Sequence, residues 1–209
     1  MAGAFAGWKG DFRGFFLGLK VNNSKAYFES HRKQYEHDVK APMVALLADL
    51  ESEFGAARIS RPNRDIRFSA DKSPYKTNIY ATTSAGGYVA LDGEGLAVGG
   101  GRHTLEPSQL ADFRKAVDAK ASGEKLGAIV SALRAKGYGV EGQELKRVPP
   151  PHPQDHPRGD LLKHKTLFYW RRWPLEAWIA TPKARERVRQ AWHDGADLEA
   201  WLARHLRGE

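Results

Sequence analysis

Hydrophobic positions recur at two different periods along this chain, and the change of period divides it. After Asn22-Asn23-Ser24, which offers helix N-caps, Phe28, His31, Tyr35 and Val39 return at spacings of three and four, as one face of a helix requires. His31 reads as a core-edge histidine. Pro42 suits the first turn of a second helix, whose apolar stripe is Met43, Leu46, Leu47, Leu50 and Phe54. From Arg58 to Gly101 the period drops to two. Ile66 and Phe68 alternate with Asp65, Arg67 and Ser69, predicting a strand that buries the first two. Further strands are predicted at Thr77–Thr83, Tyr88–Leu91 and Leu96–Gly99. They are separated by the hairpin-like runs Gly86-Gly87 and Asp92-Gly93-Glu94-Gly95, so the segment reads as an antiparallel meander.

Helical spacing returns with Pro107 in a first turn and Leu110, Phe113 and Val117 on one face. A second helix carries Leu126, Ile129, Val130 and Leu133 after Ser122 as cap, and Gly137 and Gly139 end the pair. A short extended piece through Leu145 and Val148 runs into the proline-rich stretch Pro149–Pro157, which excludes regular structure. Asp160–His164 fits one helical turn. Thr166–Trp173 is aromatic on both faces, predicting an internal strand that Pro174 stops. Thr181 and Pro182 then open a closing helical segment with Val188, Trp192, Leu198, Trp201 and Leu202 on its packing faces. The fold class is therefore α+β: a largely antiparallel sheet, meander plus later aromatic strand, flanked by helices. Met1–Gly10 lacks periodicity and is expected to be a loose terminus, leaving residues 11–209 as a single α+β domain.

Composition narrows the function classes. Hydrophobic residues at 41% and charged residues at 28% are ordinary globular usage, which removes disordered and fibrous readings. No apolar run approaches the roughly 20 residues that span a bilayer, and the start lacks a secretory pattern, so the expectation is a cytoplasmic protein without a membrane partner. Zero cysteines exclude disulfides, thiolate metal sites and a cysteine nucleophile. The net charge of +8 is concentrated. Arg58–Lys76 sets six Lys or Arg against Asp65 and Asp71, and Gln143–Arg172 sets seven against three acids. Each segment has an excess of four, together the whole net charge. An anionic partner is favoured.

The run from Arg64 to Asn78 crowds charge, turn chemistry and one aromatic into fifteen residues. A strand ending at Ser69 and a turn through Asp71-Lys72-Ser73-Pro74 would bring Arg67, Lys72 and Lys76 together beside Tyr75, with Arg64 and Ser73 as further donors. Arginine offers a planar fork and lysine a mobile point charge, a set that suits phosphate or carboxylate. Asp65 and Asp71 are the candidate acid-base groups. The competing reading is that these two carboxylates simply pair with the cations. Gly99-Gly100-Gly101-Arg102 could wrap an anion with backbone amides and a guanidinium, or could be glycines that allow close packing; it matches neither the dinucleotide nor the Walker fingerprint. Lys163 belongs to the second basic segment. His152, His156 and His164 lack diagnostic ligand spacing, so neither a metal nor a cofactor is expected.

Several of these features recur together elsewhere. Asn22-Asn23 with Tyr27-Phe28, the run Arg64-Asp65-Ile66-Arg67-Phe68-Ser69 continuing to Asp71-Lys72-Ser73-Pro74-Tyr75-Lys76, then Gly99-Gly100-Gly101, Leu145-Lys146-Arg147-Val148-Pro149, Asp155-His156-Pro157 and Leu162-Lys163 occur in that order. In them the chain resembles the widespread bacterial and fungal family DUF2461, a domain of unknown function. Tyr27 stands where that family is expected to prefer tryptophan. The resemblance implies one α+β domain with helices around an antiparallel sheet, and it assigns no catalytic residue. The leading functional expectation is a basic, sheet-side cleft that binds an acidic or phosphorylated small molecule. The alternatives are a nucleic-acid-binding protein, with both basic segments on the backbone and Tyr75 or Trp170 stacking a base, and a protein-interaction module.

Overall fold

The computed structural model describes residues 4–67 and 70–206, and its helices and antiparallel sheet make it α+β. Among the described residues the strands are β1 (Ala57–Ile59), β2 (Asn78–Thr83), β3 (Gly87–Asp92), β4 (Gly95–Arg102), β5 (Gly139–Glu141) and β6 (Leu167–Pro174), in sheet order β1-β2-β3-β4-β6-β5. β6 is thus internal, as its two aromatic faces require. By its packing the chain divides into two compact units, Met1–Val98 with Arg172–Ala191 and Gly99–Arg171 with Trp192–Glu209. No described helix is long and apolar enough to cross a membrane.

The first unit opens with α1 (Phe12–Val21), a helix outside the sequence expectation. Asp11 caps it by accepting from the Gly14 amide at 2.8 Å, and Phe12, Phe15, Phe16 and Leu19 are buried. The terminus expected to be loose is packed where it is described. Phe5 and Trp8 are 3% and 1% exposed, and the Trp8 indole donates to the Val39 carbonyl at 3.3 Å. Ser24 caps α2 (Lys25–Ser30) as expected. The single helix predicted through Val39 is instead α2, α3 (Arg32–Gln34) and a π-helical stretch Tyr35–Lys40, which leads without a break into α4 (Ala41–Phe54). Tyr35 and Val39 stay buried because the wider turn shifts register while keeping the apolar face inward. Pro42 lies in the first turn of α4, whose stripe Met43, Leu46, Leu47, Leu50 and Phe54 is buried.

β2, β3 and β4 form the predicted meander, with Tyr80 opposite Ala90, and β1, a strand outside the sequence expectation, pairs with β2 with Arg58 opposite Thr82. β2 buries Ile79, Ala81 and Thr83, so Asn78, Tyr80 and Thr82 occupy its other face. The strand expected from Asp65 does not form: residues 64–67 lie outside any strand, and Phe68 and Ser69 lie outside the described residues. Asp65 Oδ1 accepts from the Arg67 amide at 3.2 Å, a local turn that competes with ladder pairing.

The second unit holds α5 (Pro107–Asp118), entered by a capping box between Glu106 and Gln109, and α6 (Lys120–Ala135). α6 starts two residues before the expected cap, so Ser122 sits inside its first turn and donates to the Ala116 carbonyl at 2.5 Å. β5 pairs with β6 through Val140 and Tyr169. The extended piece predicted through Leu145 and Val148 is not a strand: beside the Glu144–His164 bridge the Leu145 amide donates to the Lys163 carbonyl at 2.9 Å, and the Gln154 side chain accepts from the Val148 amide and donates to its carbonyl. α7 (Gly159–Lys163) supplies the expected helical turn. α8 (Lys183–Asp194) and α9 (Ala196–His205) close the chain. Trp201 of α9 packs edge-on to Phe113 and donates to the Ser122 carbonyl at 3.0 Å.

Candidate functional site

The charged run is an excursion pinched at its base. The Arg64 amide donates to Pro74 O at 2.9 Å and the Lys76 amide to Pro62 O at 2.8 Å, bracketing an antiparallel bridge between Asn63 and Tyr75. From behind, the Asn23 side chain grips Tyr75 by both backbone groups, accepting from its N–H and donating to its C=O, each at 3.0 Å. The Tyr75 ring is buried and stacks on Phe28 with centroids 4.2 Å apart and planes 4° apart. Tyr75 therefore anchors the loop, and its ring is unavailable to stack a base.

Most of the charge in the loop is used internally. Arg64 pairs with Asp71, and Arg67 grips Asp65 through Nε at 3.0 Å and Nη2 at 2.7 Å. Lys72 Nζ donates to Ile66 O at 3.0 Å, and the Ser73 amide donates to Asp71 Oδ1 at 2.9 Å. The Ser73 hydroxyl and amide, then Arg64, hold the Asp71 carboxyl down to about 2. The Arg67 side chain and then its amide keep Asp65 below the ordinary carboxylate range. Both acids are ionised at neutral pH and too weakly basic for efficient proton abstraction there.

The opening that does form lies along β1, the 60–65 segment and the Tyr80 face of β2. It is a half-open cleft of about 830 Å³, lined by Arg58, Ser60, Arg61, Asp65, Lys76, Tyr80 and Thr82, with Ile59 and Asn63. Lys76 and Asp65 are brought there; Arg64, Arg67, Lys72, Ser73, Tyr75 and Asp71 do not line it. Lys76 Nζ donates to Arg61 O at 2.6 Å and Asn63 O at 2.7 Å, and lies 5.8 Å from the Tyr80 ring centroid. Burial first, then the charges of Arg61 and Arg64, push its ammonium below the ordinary lysine range. Arg58 and Arg61 make no salt bridge among the described residues. They were legible only as part of the basic segment, because their place in the wall depends on β1 pairing with β2.

The glycine segment, in the second unit, already holds an anion, and the anion belongs to the chain. Glu199 of α9 accepts from the Gly101 amide at 2.5 Å and pairs with Arg102 Nη1 at 2.8 Å. The glycines also permit close packing. A Cβ on Gly99 would fall 2.1 Å from Tyr169 O, and Gly101 has φ +111° with Leu167 O at 2.5 Å from the corresponding point. Lys163 pairs with Asp160 at 2.9 Å. His156 Nε2 and His152 Nδ1 both face Asp118 Oδ1, at 3.1 and 3.3 Å, and the Arg158 guanidinium donates to the Val117 and Asp118 carbonyls, so this cluster fastens the proline loop to the end of α5. Among the described residues no group of three or more His, Asp or Glu is placed to hold a metal ion. In the second unit a concavity of about 320 Å³ is walled by Trp201, Arg204, His205 and Lys125.

Compared with known proteins, residues 11–201 match the family model described as Conserved hypothetical protein (DUF2461). No curated protein and no solved structure matches the chain. The matched span covers the cleft, the pinched loop and the Glu199-filled glycine segment alike, and the chain belongs to the DUF2461 family.

Proposed function

We propose that the cleft of the first unit binds an anionic small molecule carrying a phosphate or carboxylate group. The observation behind this reading is an excess of positive charge in the wall: among the described residues that line it, Arg58, Arg61 and Lys76 stand against the one carboxylate of Asp65, which Arg67 already engages. Burial first, then the charges of Arg61 and Arg64, push the Lys76 ammonium down, and an anion entering beside it would offset that repulsion. The volume of this half-open cleft lies within the roughly 300–1,000 Å³ typical of small-ligand sites. With both nearby carboxylates held ionised, binding is better supported than proton transfer.

The test is thermal unfolding with and without inorganic phosphate, for the wild type and for the double variant Arg58→Gln and Arg61→Gln. Phosphate at a hundred times its dissociation constant should stabilise the wild type by about 2.7 kcal/mol. The double variant should lose that gain while its ligand-free melting temperature moves little, since exposed cations contribute roughly 0–1 kcal/mol. Equal stabilisation of both proteins, or of neither by phosphate or citrate, would sink the reading.

A further inference from the structure

An oxyanion alone would leave most of this cleft to water, so the rest of the wall specifies the rest of the ligand. Beside the cations stand the half-buried ring of Tyr80 and two hydroxyl groups, Ser60 and Thr82. Tyr80 is fixed in the sheet on both sides of its peptide: its amide donates to Ser60 Oγ at 3.3 Å and its carbonyl accepts from the Ser60 amide at 2.8 Å. Its cross-strand neighbour is the small Ala90, and Tyr88 lies diagonal to it at 5.8 Å. The Lys76 ammonium stands 5.8 Å from the ring centroid, so the charged and aromatic parts of the wall are adjacent. A rigid aromatic next to clustered cations, with hydroxyls in the same wall, matches a phosphate ester whose sugar carries a planar base.

We infer that the ligand is of the nucleotide class, with its base against Tyr80 and its phosphate between Arg58, Arg61 and Lys76. This rests on the anion-binding reading of the same cleft. Calorimetric titration with inorganic phosphate, ribose 5-phosphate and adenosine monophosphate separates the two. Affinity should rise along that series. Tyr80→Leu should erase the advantage of the nucleotide over the sugar phosphate, a loss of roughly tenfold or more for one stacked base, while Tyr80→Phe retains it and both variants still bind phosphate. If ribose 5-phosphate binds as tightly as the nucleotide, or Tyr80→Leu leaves nucleotide affinity unchanged, the nucleotide assignment falls and the anion site stands. If no phosphate compound binds, the anion reading itself has failed. An oligonucleotide binding about a hundredfold tighter than the mononucleotide, with steep salt dependence, would replace the small ligand by a nucleic-acid surface.

Discussion

Individual side chains in this protein earn their roles from partners far along the chain, and His164 shows how that reads out as pH dependence. Among the described residues its Nδ1 is buried without a hydrogen-bond partner, with Glu144 Oε1 at 3.5 Å. Burial pushes its pKa down, outweighing the upward pull of Glu144 and Asp160, and Arg134 adds to the depression. The native chain thus holds His164 neutral over a range where an unfolded histidine, with a pKa of about 6.5, takes up a proton. In that window the unfolded state binds more protons, so stability rises with pH and is lost as pH falls through about 6.5. Urea unfolding between pH 5 and 7.5 should show this slope, and His164→Asn should flatten it. His103 and His205 are depressed in the same direction, so part of the slope will remain. An unchanged slope in the variant would remove His164 from the account. The residue types of the charged run were legible in the sequence. That Asp65 and Asp71 could pair with its cations was legible too; which cations pair was not, because nothing local distinguishes Arg64 and Arg67 from Lys76, whose ammonium is held by the Arg61 and Asn63 carbonyls in the wall of the cleft.

At the scale of elements, the strongly periodic segments were legible and the interrupted ones were not. The stripe of α4, the strands β2, β3 and β4 and the aromatic β6 fall where hydrophobic spacing puts them. α1 carries an equally good stripe in Phe12, Phe15, Phe16 and Leu19, but Gly14 and Gly18 interrupt it. The structure gives Gly18 a purpose: any Cβ there would meet the Tyr27 hydroxyl, which reaches past it to the Phe15 carbonyl at 3.1 Å. The missing strand at Asp65 has the opposite cause, a side chain that satisfies the backbone locally. The Asn23 grip joins the approach to α2 with the Pro74–Lys76 segment, 52 positions apart. Asn23→Ala should leave the N–H and C=O of buried Tyr75 without side-chain partners and cost about 1–3 kcal/mol in urea unfolding. Because Lys76 follows Tyr75 directly, the same variant should weaken phosphate binding without touching any residue that lines the cleft. Unaltered stability and affinity would show the grip to be incidental.

For the whole molecule, the α+β class, the meander and an internal place for the aromatic strand followed from period and punctuation, whereas the wall of the cleft required knowing that β1 lies against β2. The same limit governs the glycine segment, where the sequence offers an anion-wrapping loop or close-packing glycines and cannot reveal that Glu199, 98 positions later, accepts from the Gly101 amide. That arrangement has a consequence for complementation chemistry. Glu199→Ala leaves an amide and a guanidinium around a vacancy the size of one carboxylate, costing roughly 1–3 kcal/mol in stability for the unpaired donors. Acetate or formate supplied in the buffer is shaped to refill it. The truncated protein should therefore recover melting temperature with millimolar acetate, while the wild type and an Arg102→Leu, Glu199→Ala double variant gain less or nothing, which makes an exogenous organic acid a prosthetic side chain.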